Sequence, residues 1–225
     1  VASLGQLSGS LAHELNQPMT ALAAYGNACE YLLARGETGE GLRDAIRRMV
    51  AESARAAEVV RRVRDFFRTG ATRLELIDVG TLISSAVGRF AQRATDDGVQ
   101  FQVEGAPIIV RVDRLQIELV LRNLLANAFD AVAAQPEGER RIHVSVTSDN
   151  GDNVTIAVRD SGPGLSASAV GKLFEPFAST KSSGLGLGLV ISRALVEAHG
   201  GKLWGEAGDS GIFQFSLPTN DKESE

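Results

Sequence analysis

Apolar residues recur at Leu4, Leu7, Leu11, Leu15, Leu22, Tyr25, Cys29 and Leu32, a three-and-four spacing that lays a stripe along one side of a helix packed against other helices. The stripe predicts a first helix over about Ala2 to Ala34, roughly 50 Å long at about 1.5 Å per residue. Arg35-Gly36-Glu37-Thr38-Gly39 then supplies a break. Leu42, Ile46, Met49, Ser53, Ala56, Val60, Val63 and Phe67 repeat the spacing and predict a second helix ending near Thr69-Gly70. Two long helices with a short connection form an antiparallel hairpin, and no third element covers its apolar face. Pairing two copies into a dimeric four-helix bundle buries that face, so a homodimer is expected.

After Ala71 the long helical repeat gives way to short mixed elements, placing a domain boundary between about Gly70 and Leu76 and dividing the chain into 1–70 and 71–225. The second part reads as a strand near Leu74 to Ile77, a helix from Val79 to about Thr95, and strands at Val99 to Val103 and Ile108 to Val112. A helix from Asp113 to about Ala134 follows, then strands at Arg141 to Ser148 and Asn153 to Arg159 around Asp149-Asn150-Gly151-Asp152. Val154, Ile156 and Val158 alternate, which marks one face of the second of these strands as the inner one. A loop rich in Gly, Ser and Pro spans about Asp160 to Gly186, a helix runs to about His199, and strands at Lys202 to Glu206 and Gly211 to Leu217 close the domain. Strands grouped with helices on one side predict a two-layer α/β sandwich, making the whole chain α+β.

Composition changes this picture little. The chain has 225 residues, 44% of them hydrophobic and 23% charged, which suits an ordinary folded protein. A net charge of −5 argues against a nucleic-acid binder, and the arginines between Arg43 and Arg68 read as solvated helix surface. No apolar run approaches the roughly 18 to 20 residues that span a bilayer and no signal-peptide pattern opens the chain, so a cytoplasmic location without direct membrane contact is expected. The single cysteine, Cys29, lies on the first apolar stripe and reads as a buried structural thiol. A start at Val1, almost directly in a helical repeat, suggests a fragment whose preceding part is missing.

Candidate chemistry begins at Leu11-Ala-His-Glu-Leu-Asn-Gln-Pro-Met19. His13 lies two residues from both Leu11 and Leu15, so it projects from the side opposite the stripe. Glu14 adjoins it, and Pro18 frees the carbonyl of Glu14 and should bend or loosen the helix. A nucleophile and a solvated surface histidine both fit this placement. Asn123, Asn127 and Asp130 share one face of a later helix. Amide oxygens are hard ligands suited to Mg²⁺, which makes Asn127 a candidate ligand, although helix-surface amides explain the pair as well. Asp160-Ser-Gly-Pro-Gly-Leu165 follows a strand; it is ordinary turn chemistry, or Asp160 accepts from an exocyclic amine such as that of adenine while Gly162 and Gly164 let a base approach. Gly184, Gly186 and Gly188 open a helix, where bare N–H groups and the helix dipole favour an anion. Lys181 offers a point charge for phosphate or is a plain loop lysine. Phe174 and Phe177 suit a movable lid.

Their order makes the case. The His-Glu helix, Asn-Leu-Leu-Ala-Asn-Ala-Phe-Asp-Ala, Asp-Ser-Gly-Pro-Gly-Leu, Phe-Glu-Pro-Phe-Ala-Ser-Thr-Lys and Gly-Leu-Gly-Leu-Gly-Leu together resemble the transmitter region of sensor histidine kinases of two-component signalling systems. His-Glu-Leu-Asn-Gln-Pro and Glu-Ala-His-Gly-Gly look most like the branch of oxygen-sensing nitrogen-fixation kinases and dicarboxylate sensors. The resemblance implies an ATP-binding sandwich after the hairpin, ATP and Mg²⁺ as cofactors, and an upstream sensor domain. It implies autophosphorylation on His13 and transfer of the phosphoryl group to an aspartate of a response-regulator receiver domain. By the same resemblance Asn127 is the Mg²⁺ ligand and Asp160 the adenine reader. Gly162, Gly164, Gly184, Gly186 and Gly188 are nucleotide-loop glycines, and Asn123 and Lys181 assist near the phosphates. Asp130, Phe174, Phe177, Thr180, Leu185 and Leu187 line the same site.

An unperturbed imidazole near pH 7 keeps a free lone pair, and Glu14 can hold the other ring proton as phosphate arrives. Related chaperone- and gyrase-type ATPases usually carry a water-activating carboxylate near Asn123, so asparagine there fits a kinase that should not hydrolyse ATP. Many relatives have Thr or Asn four residues after the histidine, where this chain has Gln17. A glutamine there could orient water for phosphatase chemistry, but its extra methylene predicts weak activity at most. The rival reading is a dimeric nucleotide-binding scaffold without kinase activity.

Overall fold

The computed structural model describes residues 4–67, 73–149, 152–175 and 188–219, with side chains from Leu15 onward in the first helix and, in the second, to Ala57 and at Val60. The chain divides into two compact units, Val1–Gly70 and Ala71–Glu225.

The first unit is the expected antiparallel hairpin of α1 (Leu4–Ala34) and α2 (Glu40–Phe67). Gly36, at φ 71°, closes α1 in the left-handed conformation: Gly36 N–H bonds to Leu33 O at 2.9 Å and Glu37 N–H to Leu32 O at 2.9 Å. That pairing satisfies two of the terminal carbonyls and turns the chain. Pro18 lies inside α1 and is buried between half-buried Leu15 and Leu22, so it fills the stripe position the sequence pattern had left vacant. Cys29 is buried on the same stripe. On α2 the stripe divides. Leu42, Ala45, Met49, Glu52 and Ala56 turn inward to various degrees, whereas Ile46, Val50 and Val60 are 41%, 62% and 53% exposed. The expected single seam is therefore two adjacent ones, the second facing away from α1.

The second unit has two sheets. The strands β1 (Glu75–Asp78) and β3 (Ile109–Val112) pair antiparallel by themselves, and the main sheet runs β2 (Gln100–Glu104), β4 (Arg141–Asp149), β5 (Asn153–Asp160), β7 (Gly211–Pro218) and β6 (Lys202–Gly205). Among the described strands only β2 and β4 pair parallel. Val154, Ile156 and Val158 of β5 and Phe215 and Leu217 of β7 are buried against α5 (Arg114–Val132) and α7 (Gly188–Ala198), forming the predicted two layers. Asp113 caps α5, its Oδ1 accepting from Gln116 N–H at 3.2 Å, and Asp78 likewise caps α3 (Val79–Gly88).

The helix expected from Val79 to Thr95 is two, α3 and α4 (Ala91–Asp96). The break sets Phe90 against Phe129 of α5, ring centroids 5.1 Å apart and nearly parallel. Half-burying that ring and stacking it offsets part of the roughly 1 kcal/mol per hydrogen bond lost where the helix stops. Among its described residues the long loop after Asp160 contains a short helix, α6 (Ala167–Val170), capped by Ser166. Among the described residues no helix is long and apolar enough to cross a membrane.

Candidate functional site

His13 and Glu14 lie on α1, but their side chains fall outside the described residues. Gln17, one turn on, is exposed, and buried Pro18 follows it. In the second unit the face of α5 singled out in sequence serves two neighbours. Asn123, half-buried, donates through Nδ2 to the Gly188 carbonyl at 3.2 Å and to Ser192 Oγ at 3.1 Å, reaching the first turn of α7. Asn127 is half-buried one turn further along, and Asp130, at the exposed end, takes a 3.1 Å ion pair from Arg93 of α4. Arg93 also lies 4.9 Å over the Phe129 ring, so Asp130 helps hold α4 against α5.

The other flank of α5 carries Glu118, buried and ion-paired to Arg114 at 2.9 Å. Burial acts most strongly on this carboxyl and pushes its pKa up. Hydrogen bonds from Arg114 and Ser85, with the charges of Arg114 and Arg89, more than offset that and hold it below the ordinary glutamate value.

Asp160 ends β5 and is only 3% exposed. Its Oδ1 accepts from Gly162 N–H at 2.8 Å. Opposite it in the β5–β7 ladder stands Gly211, where an added Cβ would fall 2.1 Å from Asp160 Oδ2. The bare backbone of Gly211 is what lets the carboxylate lie there, a requirement sequence reasoning missed because the two positions are far apart in the chain. Gly162 is similarly confined: a Cβ would meet Asp160 Oδ1 at 2.7 Å and Ala131 Cβ at 2.8 Å. At Gly164, φ 73°, an added Cβ would collide with Gly208 O, beside the bridge in which Leu165 N–H bonds to Gly208 O at 3.1 Å and Gly208 N–H to Leu165 O at 3.0 Å. Both glycines are thus demanded by packing, whatever else approaches them.

Phe174 is held under Arg193 of α7, 5.0 Å from guanidinium carbon to ring centroid. Gly188 begins α7, and a Cβ there would make ordinary 3.8 Å contact with Asn123 Cγ, so among the described residues no neighbour requires glycine. Phe177, Thr180, Lys181, Gly184, Leu185, Gly186 and Leu187 lie outside the described residues. Ser192, which no sequence motif marked, is fully buried and reaches Asn123. A serine amid Ile191, Leu195 and Val196 was the one signal available.

The fold brings together a buried acceptor at a strand end, amides on the adjacent helix, and the first turn of α7 beside them. Carboxylate and amide oxygens are acceptors for the amine of a base and ligands for a hard cation. Residues 112–221 match the model for histidine kinase-, DNA gyrase B- and HSP90-like ATPases, and residues 3–72 match the His Kinase A (phospho-acceptor) domain. The sensor protein FixL of Bradyrhizobium diazoefficiens is 34% identical over 228 residues, covering 99% of this chain and 45% of that protein. The C4-dicarboxylate transport sensor protein DctS of Rhodobacter capsulatus is 38% identical over 223 residues, covering 97% and 34%. The chain spans less than half the length of these curated relatives. Histidine kinase ThkA, solved in complex with response regulator protein TrrA, matches with a TM-score of 0.77 at 25% identity over 98% of this chain and 63% of that one. The catalytic domain of ThkA alone gives 30% identity and a TM-score of 0.59 over 65% of this chain and 96% of its own. With its α/β unit matching a histidine kinase catalytic domain nearly end to end and its hairpin matching the phospho-acceptor model, the chain belongs to the histidine kinase family.

Proposed function

We propose that this chain is the phosphoryl-transfer core of a two-component sensor: it autophosphorylates on His13 with ATP and passes the phosphoryl group to an aspartate of a response-regulator receiver domain. The observation that carries this reading is the union, in one chain, of a phospho-acceptor hairpin and an ATPase-type sandwich. A relative crystallised with a response regulator supports the second step.

In the proposed chemistry an imidazole nitrogen of His13 attacks the γ-phosphorus in line. The N–P bond forms as the bond to the β,γ-bridging oxygen breaks, ADP leaves, and Glu14 holds the proton of the other ring nitrogen. Asp160 would accept the adenine amine, its position fixed by Gly162 N–H and by the space over Gly211. Asn127, seconded by Asn123, would hold Mg²⁺, which when bound neutralises phosphate charge. Neither amide supplies a carboxylate base for water, which favours transfer over hydrolysis. Gln17, exposed one turn beyond His13, would meet the receiver domain and support weak phosphatase activity at most. The exposed stripe of Ile46, Val50 and Val60 on α2 supports a second copy completing a four-helix bundle.

Incubation with γ-labelled ATP and Mg²⁺ tests the reading. The expected product is a phosphoprotein stable to base and labile to acid, absent from His13→Gln, whose ATP affinity stays within about twofold of wild type because the histidine contributes only to the transfer. Absence of label from a folded wild-type dimer would favour a nucleotide-binding scaffold instead.

A further inference from the structure

We infer that Ser192 is a positioning residue for Asn123, fixing which end of its amide is presented to a Mg²⁺–nucleotide. The inference rests on the proposed reading of Asn123 and Asn127 as the metal-bearing face.

An asparagine amide can turn over about its last torsion, because terminal sp³–sp² bonds have broad, two-fold preferences. The two orientations are chemically opposite. One presents a carbonyl oxygen, an acceptor and hard ligand; the other presents an NH₂, a donor that a cation repels. In this chain the choice is settled by α7. The Gly188 carbonyl 3.2 Å away is acceptor-only, so the group facing it must be the NH₂. Ser192 Oγ, at 3.1 Å, takes the other proton. Both Nδ2 hydrogens are then engaged on α7, and the planar amide leaves Oδ1 on its other branch, one helical turn from Asn127. Among the described residues Oδ1 accepts no hydrogen bond.

Ser192 has no other evident reason to be polar. It is 0% exposed, and its neighbours on α7, Ile191, Leu195 and Val196, are buried apolar residues. Alanine would fill nearly the same space without a hydroxyl to satisfy. With one of its two acceptors gone, the Asn123 amide could sample the inverted orientation.

The test is binding of a β,γ-imido ATP analogue to the full chain by calorimetry, once with Mg²⁺ and once with EDTA, for wild type, Ser192→Ala and Ser192→Cys. Ser192→Ala should lose about tenfold in the Mg²⁺-dependent affinity, the usual cost of removing a partner that orients a metal ligand. Its affinity in EDTA should stay within about twofold of wild type. Ser192→Cys, a weaker acceptor of similar shape, should fall between. In ¹⁵N-edited spectra the Asn123 side-chain amide protons should be protected in wild type and exchange faster in Ser192→Ala. Equal losses with and without Mg²⁺ would show a packing role only and overturn the inference, as would unchanged affinity in both. A wild type whose binding does not depend on Mg²⁺ at all would overturn the metal-site reading, and this inference with it.

Discussion

His199, just past the end of α7, accepts the backbone N–H of Asp113 through Nε2 at 3.0 Å, while its Nδ1 lies 2.8 Å from the Leu195 carbonyl. A backbone N–H can only donate and a carbonyl can only accept, so the proton sits on Nδ1 and the ring is the neutral tautomer. One buried imidazole thereby joins the end of α7 to the N-cap of α5, the helix that carries Asn123 and Asn127.

Removing that acceptor should be felt as stability. His199→Leu keeps the bulk but leaves the Asp113 N–H without its partner, at a cost of about 1–3 kcal/mol. His199→Gln, which retains an acceptor oxygen, should lose less. The single tryptophan, Trp204 on β6, reports unfolding of this unit by fluorescence. Melting of His199→Leu at the wild-type temperature would show that the Asp113 bond contributes nothing.

Gly211→Ala places a methyl where Asp160 Oδ2 now lies. Either the carboxylate moves or β7 shifts, and overpacking of this kind costs about 1–3 kcal/mol. If Asp160 reads adenine through a charge-assisted hydrogen bond, its displacement should weaken ATP binding roughly 10- to 100-fold. Equilibrium titration with ATP checks this: full affinity in a folded Gly211→Ala protein would show that nucleotide binding does not depend on the space over Gly211 that now seats Asp160.

The Glu118 carboxyl has a folded-state pKa below its ordinary value, set by Arg114 and Ser85 against the opposing effect of burial. A lowered pKa stabilises the fold fully above the unfolded value of about 4.3, and that contribution disappears as pH falls through the folded value. Glu118→Gln should therefore melt lower than wild type at pH 7, and the gap should narrow steadily below about pH 4.3. A gap of constant size from pH 7 to pH 3 would assign the effect to packing.

The local patterns of the chain determined most of its architecture. The three-and-four stripes fixed two long helices, Gly36 their break, and the alternation of Val154, Ile156 and Val158 the inner face of β5, because each depends only on residues within a turn or a pleat of one another. The order of the motifs was enough to name the family. What sequence alone left open depends on residues distant in the chain. The α2 stripe divides because a single partner helix covers one side of it, leaving Ile46 and Val50 exposed. Helix α3 stops early because Phe129, on another helix, offers Phe90 a surface to stack on. Gly211 looks like any glycine at the start of a strand until the β5–β7 register sets it against Asp160. The orientation of the Asn123 amide exists only once α7 brings Gly188 and Ser192 within hydrogen-bonding distance, since nothing near Asn123 in sequence prefers one end of that amide to the other.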